Sequence, residues 1–326
     1  MIHCAIIGAG QIGSRHLQAL CHLEEPTRID LVDPSDESLQ TARDRYEQVI
    51  SADKQGSELY CHYSQDDLPD TLDIVIVATN SAVREKVIKD VIQKHAVKNL
   101  ILEKVLFQKK NHYIEIDTFL KESSIPTWIN CWMRTTDLYK QIRSVINLNN
   151  LIQMKIKGSK WGIGSNSIHF MDLFSYFSEC NDFKFVEVQL DNMVLDSKRK
   201  GYKEFMGRLE GRNSRGDSLE LICKNEEEGP YTIEIQNGQE EYFLTFNSLD
   251  HIDFKSSNGL SSRIGKATLP YQSKMTNIWV KDILTKGSCD LPTYSSFMNL
   301  HLEVIRVFTD HLKKITGKEI NACPIT

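Results

Sequence analysis

Long apolar runs are missing from this sequence. No stretch approaches the roughly 20 residues that a helix needs to cross a bilayer, so no membrane span is expected. The N-terminus lacks a basic stretch ahead of a signal-type apolar core, and its apolar residues lead straight into glycines, so no secretion signal is expected either. An excess of positive charge is also absent. Lys and Arg number 39 against 44 Asp and Glu, a net charge of −5, and nothing points to a nucleic acid or an acidic lipid as partner. Closely spaced cysteines are absent as well. The eight fall at 4, 21, 61, 131, 180, 223, 289 and 323, and no pair has metal-ligand spacing, so no metal site is expected. Cys4 and Cys131 lie in expected core strands and Cys21 in an expected helix. Reduced, buried thiols in a cytoplasmic protein are the first expectation, and disulfides the alternative. There is no internal repeat and no low-complexity segment. With 326 residues the chain can hold two domains with substantial cores.

What is present is concentrated in the first sixteen residues. A short apolar run, residues 3–7, ends in Gly8-Ala9-Gly10-Gln11-Ile12-Gly13, and Ile12, His16, Leu17 and Leu20 then recur at helical spacing. That order is strand, glycine loop, helix. Gly8 permits a tight turn, Gly10 lets a pyrophosphate approach the backbone, and Gly13 lets the helix pack close to the strand. The helix start, with Gln11 and Ile12, offers N–H groups and a positive dipole end to phosphate. A second apolar run ends in Leu31-Val32-Asp33, twenty residues after Gly13, where a ribose-binding acid belongs. Dinucleotide binding is the reading, with an ordinary strand-to-helix turn as the alternative. Asp33 accepts from ribose hydroxyls and repels a 2′-phosphate, and Pro34 and Ser35 follow it rather than arginine. NAD is therefore expected over NADP.

Further along, Asp73 to Thr79 is an unbroken apolar run suited to a parallel strand buried on both faces, and Asn99 to Glu103 is another. Helical patterns lie between the strands, which implies a parallel sheet covered on both sides. After about residue 130 the texture changes. Helices are expected over Leu138–Ile146 and 169–178. Alternating segments at 151–156, 186–190, 204–211, 218–223, 231–235 and 242–246 then read as an antiparallel sheet, with turns at Asn225–Gly229 and Asn237-Gly238. A last helix carries Phe297, Leu300, Val304, Phe308, His311, Leu312 and Ile315 on one side, and Gly317 stops it.

The glycine loop, Asp73 to Thr79, Glu103-Lys104, Asn130 with Arg134, His169-Phe170-Met171-Asp172 and the ending Cys323-Pro324-Ile325-Thr326 follow one another in an order that resembles the glucose–fructose oxidoreductase / inositol dehydrogenase (Gfo/Idh/MocA) family. The resemblance covers nearly the whole chain. It implies an α/β Rossmann domain over 1–126, with a doubly wound parallel sheet. An α+β domain over 127–326, with a large, mostly antiparallel open sheet, would serve substrate binding and oligomerisation, and the site would lie between the two domains. It also implies reversible hydride transfer between a nicotinamide and a hydroxyl-bearing small molecule, most often a sugar, polyol or sugar nucleotide.

On that resemblance Lys104 carries the proton, in a sequence where the family has Glu-Lys-Pro and this chain has Val105 for the proline. The alternative is a solvated strand-end lysine paired with Glu103. His169 binds substrate hydroxyls or assists proton transfer. Asp172, three residues on at a helix start, is either a substrate contact or an acid favoured by the helix dipole. Ser165 stands where many members have aspartate; with Asn166, Arg134 and Trp161 it is a candidate substrate contact. Thr79, Asn80 and Glu103 are candidate cofactor contacts, Asn80 replacing a usual proline and Arg84 a frequent histidine. Lys155, Lys157 and Lys160 run toward Trp161 and would receive a diphosphate or form a solvated strand edge. A homodimer or higher homo-oligomer is expected from a second sheet face bearing Phe243, Thr245 and Ile235, for which too little helix is available as cover. The departures at Ser165 and Val105 keep a second function open: a non-catalytic nucleotide-binding sensor or partner protein.

Overall fold

The computed structural model describes residues 1–50, 56–227 and 229–326. The chain forms two compact units. One comprises Met1–Phe107, His112–Asn130 and Pro270–Tyr294; the other comprises Gln108–Asn111, Cys131–Leu269 and Ser295–Thr326. A single cut after residue 126 therefore does not describe the division, because Pro270–Tyr294 returns to pack with the N-terminal residues. No helix among the described residues is long and apolar enough to cross a membrane. All eight cysteines are free thiols.

The first unit is built in the order β1 (Ile2–Ile7), α1 (Gln11–Leu20), β2 (Thr27–Val32), α2 (Asp36–Glu47), β3 (Ser57–His62), β4 (Thr71–Leu72), β5 (Ile74–Val77), α3 (Arg84–Lys94), β6 (Ala96–Val97), β7 (Leu100–Leu102), α4 (Lys110–Glu122) and β8 (Thr127–Ile129). Six strands make one parallel sheet in the order β3-β2-β1-β5-β7-β8, and β4 pairs with β6 apart from it. The apolar runs explain the centre. Every residue of β5 and β7 is fully buried, as a strand covered on both faces requires. Strand order reverses beside β1, so the crevice outside the carboxyl ends of β1 and β5 is the place where such sheets take ligands.

The second unit contains α5 (Asp137–Val145), β9 (Ile152–Ser159), α6 (Ile163–Ser178), β10 (Phe183–Leu190), β11 (Leu195–Asp196), β12 (Lys203–Glu204), β13 (Gly207–Asn213), β14 (Ser218–Lys224), β15 (Tyr231–Asn237), β16 (Glu240–Ser248), β17 (His251–Ser256) and α7 (Leu260–Ile264). Next comes α8 (Thr276–Lys286), in the segment that belongs to the first unit, and α9 (Tyr294–Thr316) ends the elements. Seven strands form one sheet in the order β10-β13-β14-β9-β15-β16-β17, antiparallel except for the β14–β9 pair. Of the turn expected over Asn225–Gly229, Glu228 lies outside the described residues. Gly317 follows α9 with φ +66°, as a helix stop.

Three expectations are corrected here. First, β9 is internal to the sheet, so Lys155 and Lys157 do not mark an edge; Lys155 pairs with Glu220 at 2.9 Å. Second, Ile235 is 2% exposed and lies opposite Tyr242, on the covered face, whereas Phe243 and Thr245 point the other way. That other face carries the row Glu210, Glu220, Lys155, Glu234, Phe243 and Lys255. Glu210 and Glu220 are direct cross-strand neighbours and would repel, but Arg208 donates to both and to Glu187. Third, α6 starts at Ile163, six residues before His169, so the dipole of a first turn does not account for Asp172.

Candidate functional site

The ladder of the parallel sheet runs one residue past several strand ends. Gly8 donates to Val32, Asp33 to His62, Ala78 to Ile7, Glu103 to Val77 and Asn130 to Leu102, at 2.8–3.1 Å. These last rungs fix a line of residues along the carboxyl edge. Gly8 has φ +104°, and a Cβ there would lie 2.9 Å from the backbone of Ala78 and Thr79. A Cβ on Gly13 would lie 1.8 Å from the Gly8 carbonyl oxygen. Fold geometry thus demands both glycines. Gly10 differs: a Cβ there would meet nothing within 4 Å. The space above it is open, as approach of a phosphate requires. Gly10 caps α1 with no side-chain hydrogen bond, so the cap itself supplies no acceptor to the first N–H groups of the helix, at Gln11, Ile12 and Gly13. Asp33 closes the loop from the side. Its Oδ2 accepts from Ala9 N at 2.8 Å and its Oδ1 from Ser35 N at 2.9 Å, and each oxygen keeps a lone pair for a further donor.

Across the switch point, Thr79 Oγ1 and Asn130 Oδ1 are buried and have no hydrogen-bond partner among the described residues. Asn80 Oδ1 accepts from Ala82 N. An open cradle at Gly10, an uncapped helix start, an acid at the β2 end and buried polar atoms without partners on one edge fit a dinucleotide. Behind this edge lies a buried polar network. Glu103 is 5% exposed, and its Oε1 accepts from Asn130 and bonds His16 Nε2 at 3.0 Å. His16 Nδ1 bonds Thr276 Oγ1 at 2.8 Å, and Gln272 bonds both Thr276 and Asn130. Burial alone would raise the Glu103 carboxyl, but His16 and Asn130, with the charge of Lys104, hold it below its usual range. The Glu103 side chain is thus committed to the interior, and Oε1 is already shared by His16 and Asn130. Lys104 is half-buried and follows it. The Lys104–Val105 peptide is cis, and Val105 stands where the resembled family has proline. Val105, Leu106 and Phe107 are then fully buried.

The second unit gathers the remaining candidates around α6. Gly162, with φ +79°, starts the helix; Asn166 Nδ2 donates to the Trp161 carbonyl at 2.6 Å, and Ser165 Oγ lies 3.4 Å from the Gly162 carbonyl. Trp161 donates to Ile222 O at 2.8 Å and meets Phe170 edge to face. These three side chains therefore build one corner. His169 is 9% exposed and stands edge-on to Trp132. Asp172 and Arg134 are joined to each other. Arg134 Nε lies 2.9 Å from Oδ2 and Nη2 2.8 Å from Oδ1, while Nη2 also reaches the Asp172 carbonyl. Asp172 is fully buried, and the Tyr176 ring lies under the guanidinium. Burial pushes its carboxyl up to about 6, against the opposing pull of Arg134. Asp172 is placed as the holder of Arg134. Sequence reasoning passed over His16, Gln272 and Thr276. A histidine inside the apolar stripe of α1 was the available signal for the first, and none existed for a partner 260 positions away.

Comparison with known proteins agrees with this geometry. Residues 2–124 match the family model GFO_IDH_MocA, described as an oxidoreductase family with an NAD-binding Rossmann fold. No curated protein matches the chain by sequence. Among solved structures, the WlbA dehydrogenase from Bordetella pertussis in complex with NADH and UDP-GlcNAcA is similar, with 12% identity, TM-score 0.71 and 96% of each chain covered. Scyllo-inositol dehydrogenase from Lactobacillus casei, with bound NAD(H) and scyllo-inositol, has 11% identity and TM-score 0.65, covering 96% of this chain and 97% of its own. A super-repressor mutant of Gal80p from Saccharomyces cerevisiae has 14% identity and TM-score 0.65, with 96% of each chain covered. Residues 2–124 thus match the Gfo/Idh/MocA oxidoreductase family model, and the whole chain carries the fold of these solved structures.

Proposed function

We propose that this protein is an NAD-dependent oxidoreductase that moves a hydride between nicotinamide and a hydroxyl- or carbonyl-bearing carbon of a sugar, polyol or sugar nucleotide. The observation that carries the reading is the line of Gly8–Gly13, Asp33, Thr79 and Lys104 along the carboxyl edge of the parallel sheet, within residues that match an oxidoreductase family. The glycine loop would hold the pyrophosphate and Asp33 the adenosine ribose, with Thr79 and Asn80 beside the nicotinamide. Bound nicotinamide would accept the hydride from the carbinol carbon. Lys104 takes the hydroxyl proton as that C–H bond breaks, and returns it in the reverse direction. His169 is assigned to a substrate hydroxyl, with Ser165, Asn166, Trp161 and Arg134 shaping that region. Eight free thiols fit a reducing compartment, so we place the protein in the cytoplasm.

A screen of sugars, polyols and sugar nucleotides for NADH formation tests the reading. Turnover of none of them, with NAD bound, would favour the sensor role instead. Calorimetry should give tighter binding of NADH than NADPH, and Asp33→Ala should narrow the gap, because the charge that repels a 2′-phosphate is gone. NADPH binding more tightly to the wild type refutes the cofactor assignment.

The open face of the seven-stranded sheet, where Phe243 is 38% exposed between Glu234 and Lys255, is assigned to a second copy of the chain. Light scattering at micromolar concentration should give at least a dimer mass; a monomer contradicts this.

A further inference from the structure

Arg84 opens α3 with only 1% of its surface exposed. A buried guanidinium needs acceptors for its N–H fork, and main-chain oxygens serve here. It donates to the carbonyls of Thr79, Val105 and Leu106, the last at 2.9 Å. Thr79 lies on the turn that leaves β5. Val105 and Leu106 are the two residues after Lys104, on the turn that leaves β7. Strands β5 and β7 are direct neighbours, with Val77 opposite Leu102. One side chain thus ties together the two strand-end turns that carry Thr79, Asn80 and Lys104. The chain after Lys104 is held a second time, because Tyr113 Oη bonds both Phe107 N and Phe107 O. An apolar residue of similar size could fill the space, but it would leave three inward carbonyls unmet.

We propose that Arg84 is a positioning residue for Lys104. It acts through the carbonyls of Val105 and Leu106, and it sets the distance from Lys104 to the Thr79–Asn80 turn. The proposal rests on the reading of Lys104 as proton carrier, so the test includes measurements that do not depend on turnover. Hydrogen exchange is followed in the cofactor-free protein, together with acylation of Lys104 by an amine-specific reagent. In Arg84→Lys, which keeps the charge and loses the fork, backbone exchange over 79–83 and 103–107 should quicken about tenfold, and the labelling rate of Lys104 should change, while β2 and α2 keep wild-type exchange. NADH affinity should stay within about threefold, and kcat should fall about tenfold to a hundredfold, the penalty for misplacing a reacting group by roughly an ångström. Arg84→Ala, if it folds, should regain part of the lost kcat on addition of guanidinium. Wild-type exchange and labelling in Arg84→Lys overturn the clamp, whatever the protein turns over. Loosened turns with kcat unchanged overturn its bearing on the reaction. An inactive wild type with loosened turns and altered labelling in the variant leaves the clamp standing and removes the dehydrogenase reading instead.

Discussion

Lys104→Ala removes most of the turnover and leaves NAD affinity near the wild-type value. A general acid or base supplies about a hundred- to ten-thousand-fold, so the loss is on the order of 3 to 5 kcal/mol of transition-state stabilisation. Binding is spared because the cofactor is assigned to the glycine loop and Asp33, neither of which needs the lysine. In the alternative for Lys104, a strand-end lysine paired with Glu103, the ammonium adds its charge to a carboxylate that His16 and Asn130 already hold directly. That carboxylate is held by neighbours of its own, and removal of the ammonium should leave the fold intact. His169→Ala behaves differently, raising KM as well as lowering kcat, because its assigned partner is a substrate hydroxyl. Steady-state kinetics on the substrate found by screening, with calorimetry for NADH, checks both variants. More than about a tenth of wild-type turnover in Lys104→Ala would sink the proton-carrier assignment. The family analogy would then hold for the fold and not for the chemistry.

The parallel sheet and its ligand edge were readable because the central strands are apolar runs, and the strand ends carry residues of different character: Gly8, Asp33, Thr79, Glu103. Burial on both faces writes that signal into composition alone. The start of α6 was hidden for the opposite reason. Gly162, Gly164, Ser165, Asn166 and Ser167 are poor helix formers. The first turn forms because Gly164 N donates to Glu204 and Asn166 closes on Trp161, contacts that no local pattern announces. The orientation of Ile235 was open to a better reading. The loop at Gly238 pairs Asn237 with Glu240, which sets Ile235 opposite Tyr242 and turns Phe243 to the other face. The return of Pro270–Tyr294 to the first unit could not be seen, because it is fixed by contacts such as His16 to Thr276 between distant positions. Arg84 looked only like a departure from a family pattern. Its three carbonyl partners become visible once the β5 and β7 turns lie side by side.

Asp172 gives a prediction about pH. Its carboxyl is fully buried, and burial raises it to about 6, whereas in the unfolded chain it titrates near 3.9. Between those two values the folded protein holds a proton that the unfolded chain lacks. Folding therefore takes up a proton in this window, and this group's contribution to stability is complete below about pH 4 and is lost as pH rises through 6. The shift of about two units corresponds to roughly 3 kcal/mol. Asp172→Asn keeps the shape and a hydrogen-bond acceptor for Arg134, and it has no titration. The stability of the wild type minus that of Asp172→Asn should fall by up to about 3 kcal/mol between pH 4 and pH 7, measured by urea denaturation at each pH. A bidentate arginine could instead win over burial and depress the carboxyl. The difference would then rise with pH, and Asp172 would be an ordinary buried ion pair. A flat difference would mean that Arg134 offsets the burial of the carboxylate in full. A falling difference means that burying the Asp172 carboxylate costs the protein stability at neutral pH even with Arg134 beside it, a cost it would keep only if the position of Arg134 matters to the site.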